Sequence, residues 1–386
     1  MKVLHTSDWH IGKKLNGRLR LDEQKQTLMQ ICSIAEQESV DLVLVAGDIF
    51  DTYTPSAEAE QLFFECLKNI ASPSRAVVVI SGNHDDSVRL SASHFIASNH
   101  NVYIFGGENT PPLGGEKVKA TRTGKNFIQI EKDADKAYIG VLPYPSEQRL
   151  GEKKGDLDYT QTVKEWVDNC FCSNVENLPS ILCSHLFLLG GERGESEREI
   201  ELGGARILPL SVIPEGCLYT SLGHIHKRQA ISNSRNILYS GSIMQYAFDE
   251  VGLKKSVTVF DFGKGGVSNL KICELNCSKE LVKLVALGVE QAKELLESYA
   301  GSLVYLTLKM DRPLSEIESK ELLGNYPQLV DYKLESFAKN NDANLPSRKE
   351  LNDKELFQSY YFAKYGEETP KEIMELYLKA MLGEEV

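Results

Sequence analysis

The chain reads Ala76-Val77-Val78-Val79-Ile80-Ser81-Gly82-Asn83-His84-Asp85 in its first third. The opening five residues are apolar and mostly β-branched, the pattern of a strand buried on both faces. A glycine and three polar, ligand-capable side chains follow at once. In an α/β sheet that position is the carboxyl edge, where sites form. Four other segments end the same way. Val3–Thr6 runs into Asp8-Trp9-His10, and Leu42–Ala46 runs into Gly47-Asp48-Ile49-Phe50-Asp51. Later, Ile181-Leu182-Cys183-Ser184 runs into His185, and Leu218–Leu222 runs into Gly223-His224-Ile225-His226. Five strand ends thus deliver Asp8, His10, Asp48, Asp51, Asn83, His84, Asp85, His185, His224 and His226. That collection predicts a metal site.

Strands alternate with helix patterns through residue 110, with helices expected near Leu21–Ser39 and Ser56–Ala71, the second started by Pro55-Ser56. Alternation of this kind implies a parallel sheet with right-handed crossovers. From Val102 to about Tyr144 the texture changes to short strands and Gly/Pro turns, and a helix is expected over Tyr159–Phe171. Gly263-Lys264-Gly265-Gly266 predicts a hairpin near the end of the first domain. A second unit alternates strand, helix, strand, helix, strand from Leu281 to Glu335. Ala338–Asn344 reads as a linker, and two helix patterns follow at about Asp353–Lys364 and Pro370–Leu382. Their stripes, Leu356, Phe357, Tyr360 and Tyr361 on one and Ile373, Met374, Tyr377 and Met381 on the other, fit packing within the domain or docking to a partner.

The bulk numbers bound the function. The 386 residues, 42% hydrophobic and 25% charged, suit a soluble globular protein of two or three domains. No window is apolar enough to span a bilayer and no signal peptide is evident, so the expectation is cytoplasmic. Eight cysteines without a framework spacing suggest reduced thiols. Cys32, Cys66, Cys183 and Cys217 lie in apolar runs as core residues, and the pairs Cys170/Cys172 and Cys273/Cys277 lack the spacing of a zinc knuckle. The net charge of −12 argues against a simple phosphate-coating nucleic-acid binder. It leaves nucleic acid open as a substrate, because metal ions neutralise phosphate locally.

Asp, His and Asn together suit Mn, Fe or Zn better than Ca or Mg alone. The set exceeds one ion's needs, whereas two ions roughly 3.5–4 Å apart sharing a carboxylate would use it, with Asp48 as the natural bridge. Such a pair binds a phosphate ester and lowers the pKa of a bridging water, giving a hydroxide for in-line attack. A general acid must protonate the leaving oxygen; His84 is the candidate, with Asp85 expected to hold its ring. His5, His94 and His100 are expected to be structural, and Trp9 to pack. Lys13, Lys14, Arg18 and Arg20 follow the first motif and Lys227-Arg228 the last, a basic rim suited to phosphate backbone. The loop Gly190–Arg198 reads as solvated, with a lid as the alternative.

With these residues in hand, the chain resembles the calcineurin-like metallophosphoesterase superfamily, whose order is D-x-H, G-D-x-x-D, G-N-H-[DE], a later His and G-H-x-H. Ser7–Lys13, Gly47–Thr52, Ser196-Glu197-Arg198 followed by Gly203-Gly204, and Tyr239-Ser240-Gly241-Ser242 are similar to the SbcD family of bacterial nuclease subunits. The resemblance implies a four-layer α/β/β/α sandwich over 1–275, a small α/β DNA-capping domain over 280–338, and C-terminal helices over 345–386 that dock on the ATPase coiled coil. It implies one metal on Asp8, His10, Asp48 and His226, a second on Asp48, Asn83, His185 and His224, His84 as catalytic histidine, and Mn²⁺ as the usual ion. Relatives outside the bacterial branch carry a functional His at the position of Asp51, so a role for that position in exonuclease chemistry is open. The activity implied is ATP-regulated 3′→5′ exonuclease and endonuclease cleavage of duplex ends and hairpins. The partners implied are a second copy of the chain and an SbcC-type, SMC-like ATPase, two copies of each. The residues alone also admit a small-molecule phosphodiesterase on the same fold, or a DNA-end scaffold with a dead site. A purely structural metal site fits poorly, since such sites are closed four-ligand cages.

Overall fold

The computed structural model describes residues 1–106, 110–145, 159–192, 194, 207–336, 357–358, 361, 369–370, 373–374 and 377. Most of the Gly190–Arg198 loop, the Ser196–Arg198 and Gly203-Gly204 motifs, the 338–344 linker and most of the tail helices lie outside the described residues.

The chain opens with β1 (Lys2–Thr6), the small hairpin β2 (Lys14–Leu15) and β3 (Arg18–Leu19), α1 (Leu21–Gln37), β4 (Leu42–Ala46) and α2 (Ala57–Ile70). Next come β5 (Ala76–Ile80), α3 (Ser87–Ser91), α4 (His94–Ser98) and β6 (Val102–Phe105). The middle third holds β7 (Gly114–Gly115), β8 (Val118–Gly124), β9 (Phe127–Lys132), β10 (Asp135–Leu142), α5 (Tyr159–Phe171) and β11 (Ser180–His185). It continues through β12 (Tyr219–Gly223), β13 (Gln229–Ser232) and β14 (Ile237–Tyr239). Then follow β15 (Lys255–Gly263), β16 (Gly266–Leu275), β17 (Leu281–Leu287), α6 (Val289–Ser298), β18 (Leu303–Lys309), α7 (Glu316–Asn325) and β19 (Leu329–Glu335).

One sheet has the order β16-β15-β1-β4-β5-β6, with β1, β4, β5 and β6 parallel as the alternation requires. The second has the order β13-β14-β12-β11-β10-β9-β8-β7. The two sheets face each other through Val3, Leu42, Leu44, Val78, Ile130, Ile139, Ile181 and Tyr219, all fully buried. The outer face of the first sheet is covered by α1 and α2, whose Leu28, Ile31, Leu62 and Phe63 meet Val43, Val45 and Val77. Val163, Val167 and Cys170 of α5 cover the second sheet. Strands buried on both faces read as continuous apolar runs, which is why β4 and β5 were legible without alternation. The result is the expected α/β/β/α sandwich.

Local signals explain the boundaries. Ser56 caps α2 by accepting from the Ala59 N–H, and Ser315 with Glu318 forms a capping box on α7. The glycine-rich turn at 263–266 closes the β15–β16 hairpin. All eight cysteines are free thiols.

Contacts divide the chain into two compact units, Met1–Lys309 with Leu314–Leu334, and Met310–Pro313 with Glu335–Val386. Within the first, the three-stranded sheet β17-β18-β19 touches the β2–β3 hairpin: Leu15, Phe248, Leu281 and Leu303 form a small buried cluster, and Asn16 donates to Asp331. Within the second, the Phe357 and Tyr377 rings stack 4.0 Å apart. One aromatic residue from each of the two tail stripes is therefore in contact.

Candidate metal centre

The loops that carry the candidate ligands lie together at one end of the sandwich, and backbone pairing beyond the strands joins the first two. Asp8 N–H donates to Gly47 O, His10 N–H to Asp48 O and Ile11 N–H to Ile49 O, so the first two motif loops continue the β1–β4 pairing. Asp8, His10, Asp48 and His224 all have left-handed backbones, with φ of 51°, 42°, 50° and 103°. Non-glycine residues rarely adopt that region, and clusters of them mark functional sites. The motif glycines answer to crowding. A Cβ on Gly82 would stand 2.0 Å from Asp48 Oδ1, and one on Gly223 would stand 1.9 Å from Ala46 O.

Asp48 is the centre. It belongs to two clusters of ligand atoms within 4.8 Å of one another, His10–Asp48–His84 and Asp8–Asp48–His185. Its Oδ1 accepts from the His84 N–H at 2.9 Å, and its Oδ2 lies 3.3 Å from His185 Nε2 and 3.6 Å from His10 Nε2. Burial opposes its charge, yet His185 and His84 hold its carboxyl well below the usual range. Burial pushes Asp8 up to about 6. Against burial, Asp48 draws the His185 ring up to about 9. Burial and then Lys13 take His10 well below its ordinary value.

The imidazoles are oriented from behind. His185 Nδ1 donates to Ala46 O at 2.8 Å, which turns Nε2 toward Asp48 and toward Asn83 Oδ1 at 2.9 Å. His224 Nδ1 also faces Asn83 Oδ1, at 3.0 Å, while its N–H donates to Asp8 Oδ1. His226 Nδ1 faces Glu250 Oε1 at 3.1 Å, so its Nε2 points at His10 Nε2, 3.0 Å away. A carbonyl oxygen between two ring nitrogens, two facing imidazole nitrogens and two buried carboxylates form a donor set that a cation suits. Nitrogen and oxygen donors of this mixture fit the first-row divalent metals.

His84 Nδ1 donates to Asp51 O at 2.8 Å, and its ring meets His10 edge-on with centroids 4.8 Å apart. This corrects the expectation for Asp85. The buried Asp85 carboxylate accepts from the Gly82, Phe50 and Ile49 N–H groups at 2.8, 2.9 and 3.1 Å. It pins the second motif loop to the third and does not hold the His84 ring; the support comes from the Asp51 carbonyl. Sequence spacing offers neighbours, but the strand-end turn sends adjacent side chains in different directions.

The basic rim needs one correction as well. Arg20 is 2% exposed, bound through Nε and Nη2 to Glu23 and through Nη1 to Gln245 O at 2.6 Å, and so is a structural ion pair rather than a phosphate contact. Lys14 is exposed and Arg18 half-buried. Lys13 Nζ binds Asp51 Oδ1 at 2.9 Å, which keeps its charge beside His10. Lys227 is exposed and pairs with Glu192, and Arg228 is half-buried. His5 is buried against Tyr219 Oη at 3.0 Å and Leu222 O at 3.2 Å, His94 against Ser91 O, and Trp9 donates to Thr6 Oγ1. Each sits as a structural residue.

Three contributors had no sequence signal. Glu250 and Lys255 form an ion pair behind His226. Tyr144 lies with its ring 6.1 Å from both His185 and His224. None stands in a strand-end motif. The Tyr239–Ser242 motif does gain a function, since Ser240 Oγ meets Ser7 Oγ at 2.8 Å and Ser7 in turn donates to Asp8.

The calcineurin-like phosphoesterase family matches residues 1–228. The SbcD component of the SbcCD nuclease from Bacillus subtilis is 32% identical, with the match covering 100% of this chain and 99% of that protein. The Rhodobacter capsulatus protein of the same description is 31% identical over 82% of each chain. The Escherichia coli K12 one is 29% identical over 70% of this chain and 68% of its own. The chain belongs to the calcineurin-like phosphoesterase family, in its SbcD branch.

Proposed function

We propose that the protein is a two-metal DNA nuclease subunit, cleaving double-stranded ends as a 3′→5′ exonuclease and single strands or hairpins as an endonuclease, in DNA repair and recombination. The observation that carries the reading is Asp48, shared by two ligand clusters in a buried, strained site. The first metal position takes Asp8, His10, Asp48 and His226, and the second takes Asp48, Asn83, His185 and His224. Mn²⁺ is the proposed ion, with Fe and Zn as alternatives. Bound at both positions, the metals supply charge for the phosphate oxygens and activate the attacking water. The chain's own residues do the rest. His84, with Nδ1 committed to Asp51 O, presents Nε2 toward the site and delivers a proton there to the leaving oxygen. Lys13, held by Asp51, and Lys14, Arg18, Lys227 and Arg228 contact the phosphate backbone.

The same reading divides the chain into a nuclease domain (1–275), a DNA-capping domain (280–338) and tail helices (345–386) that dock an SbcC-type ATPase, whose ATP turnover regulates access. Exposed Val88, Phe95 and Ile96 on α3 and α4 support a homodimer through the nuclease domain, giving two copies of each component. No helix among the described residues is long and apolar enough to cross a membrane. A nuclease acting on chromosomal ends belongs in the cytoplasm with the nucleoid, and that is the location proposed.

The test is Mn²⁺-dependent degradation of an end-labelled duplex and hairpin by wild type and His84→Ser, with and without the ATPase. Cleavage by wild type that is lost in the variant is expected. Intact DNA in every reaction, with hydrolysis of a simple phosphodiester, would replace the nuclease with a small-molecule phosphodiesterase.

A further inference from the structure

Behind His226 lies a charged pair that the chemistry above does not use. Glu250 is 2% exposed and Lys255 7%, and Lys255 Nζ stands 2.5 Å from Glu250 Oε2. The other oxygen, Oε1, faces His226 Nδ1 at 3.1 Å. Lys255 Nζ also donates to His226 O at 2.9 Å and to Ser242 Oγ at 2.7 Å. The pair therefore grips His226 at both its ring and its backbone.

A buried ion pair is a poor stability device, because desolvating two charges offsets their attraction and apolar replacements are often neutral. Its placement calls for another reason. A carboxylate on the far nitrogen of a ligating imidazole fixes the tautomer and ring orientation and raises the basicity of the near nitrogen. We propose that Glu250, with its charge matched by Lys255, is the positioning residue that fixes His226 as a ligand and thereby sets the affinity of the first metal position. Lys255 pairs with the carboxylate in a dry environment and ties it to the backbone of the loop it serves. At the second position the corresponding support for His185 is the Ala46 carbonyl, which no side-chain change removes. The effect of Glu250 is accordingly confined to one of the two positions.

This inference rests on the two-metal reading. The test titrates Mn²⁺ into the full-length chain, by calorimetry and by competition with a fluorescent chelator, for wild type and two double variants. Glu250→Leu with Lys255→Met removes the pair without leaving a lone buried charge. Glu250→Gln with Lys255→Met keeps a neutral acceptor for His226 Nδ1–H. Unfolding temperature in excess chelator reports whether each variant folds. The expected result is wild-type folding in chelator, about a ten- to hundredfold loss of affinity at one position in the Leu/Met variant, and an unchanged second position. The Gln/Met variant regains part of the loss, and carries the test alone if the Leu/Met variant does not fold. Two wild-type affinities in the Leu/Met variant, or in the Gln/Met variant when it stands alone, would overturn the proposal, as would equal loss at both positions in a folded protein. Wild type binding fewer than two Mn²⁺ would instead defeat the two-metal reading itself.

Discussion

Asp85→Asn separates two accounts of the residue beside His84. If Asp85 served His84, the substitution would alter the pH dependence of cleavage and leave stability alone. The structure assigns it another job. Oδ1 accepts from Phe50 N–H, and Oδ2 accepts from both Ile49 and Gly82 N–H. An asparagine with its carbonyl oxygen in the Oδ2 place keeps the pair of bonds there without charge assistance. Its NH₂ then faces the Phe50 N–H, donor against donor, in a buried site. One charge-assisted bond is lost, worth about 1.5–3 kcal/mol, and one donor is left unsatisfied at about 1–3 kcal/mol, so the total cost is about 2.5–6 kcal/mol. The opposite amide orientation is worse, since it orphans two donors. Denaturant midpoints of wild type and variant, measured in chelator so that metal binding does not contribute, give the number. Unchanged stability together with a displaced pH profile of cleavage would refute the clamp and restore Asp85 as the partner of His84.

Other expectations follow from the same packing. Gly223→Ala must push the Ala46 carbonyl and the His185 ring, 1.9 and 2.7 Å from the new Cβ, so Mn²⁺ binding at the second position should fall together with cleavage in equilibrium titrations. Arg20→Ala breaks a buried ion pair and should destabilise by about 3–5 kcal/mol in denaturant melts, whereas Lys14→Ala should leave the melt unchanged and weaken DNA binding at low salt. In a native thiol titration Cys172, exposed, should react first. Cys170 and Cys183, whose thiols burial pushes up to about 12, should react only on unfolding.

The strands that carry the site were legible because burial on both faces leaves an uninterrupted apolar run, and the candidate ligands sit directly at its end. β5 occupies Ala76–Ile80, the same residues as its apolar run. What the sequence did not disclose is direction. His84 and Asp85 are neighbours in the chain, yet the turn sends one to the Asp51 carbonyl and the other into the Ile49 and Gly82 amides. Arg20 reads like Lys14 and Arg18 in a row of positive charge, but it follows the β2–β3 hairpin at the start of α1 and turns inward onto Glu23. Glu250 and Lys255 reach His226 from a segment with no motif, through contacts that only the closed sandwich creates.

The most direct measurement of the central claim is anomalous diffraction from crystals grown with Mn²⁺. The account predicts two manganese peaks about 3.5–4 Å apart, both touching the Asp48 carboxylate, one flanked by His10 and His226 and the other by Asn83, His185 and His224. A single peak, or two peaks of which one does not reach Asp48, would contradict it.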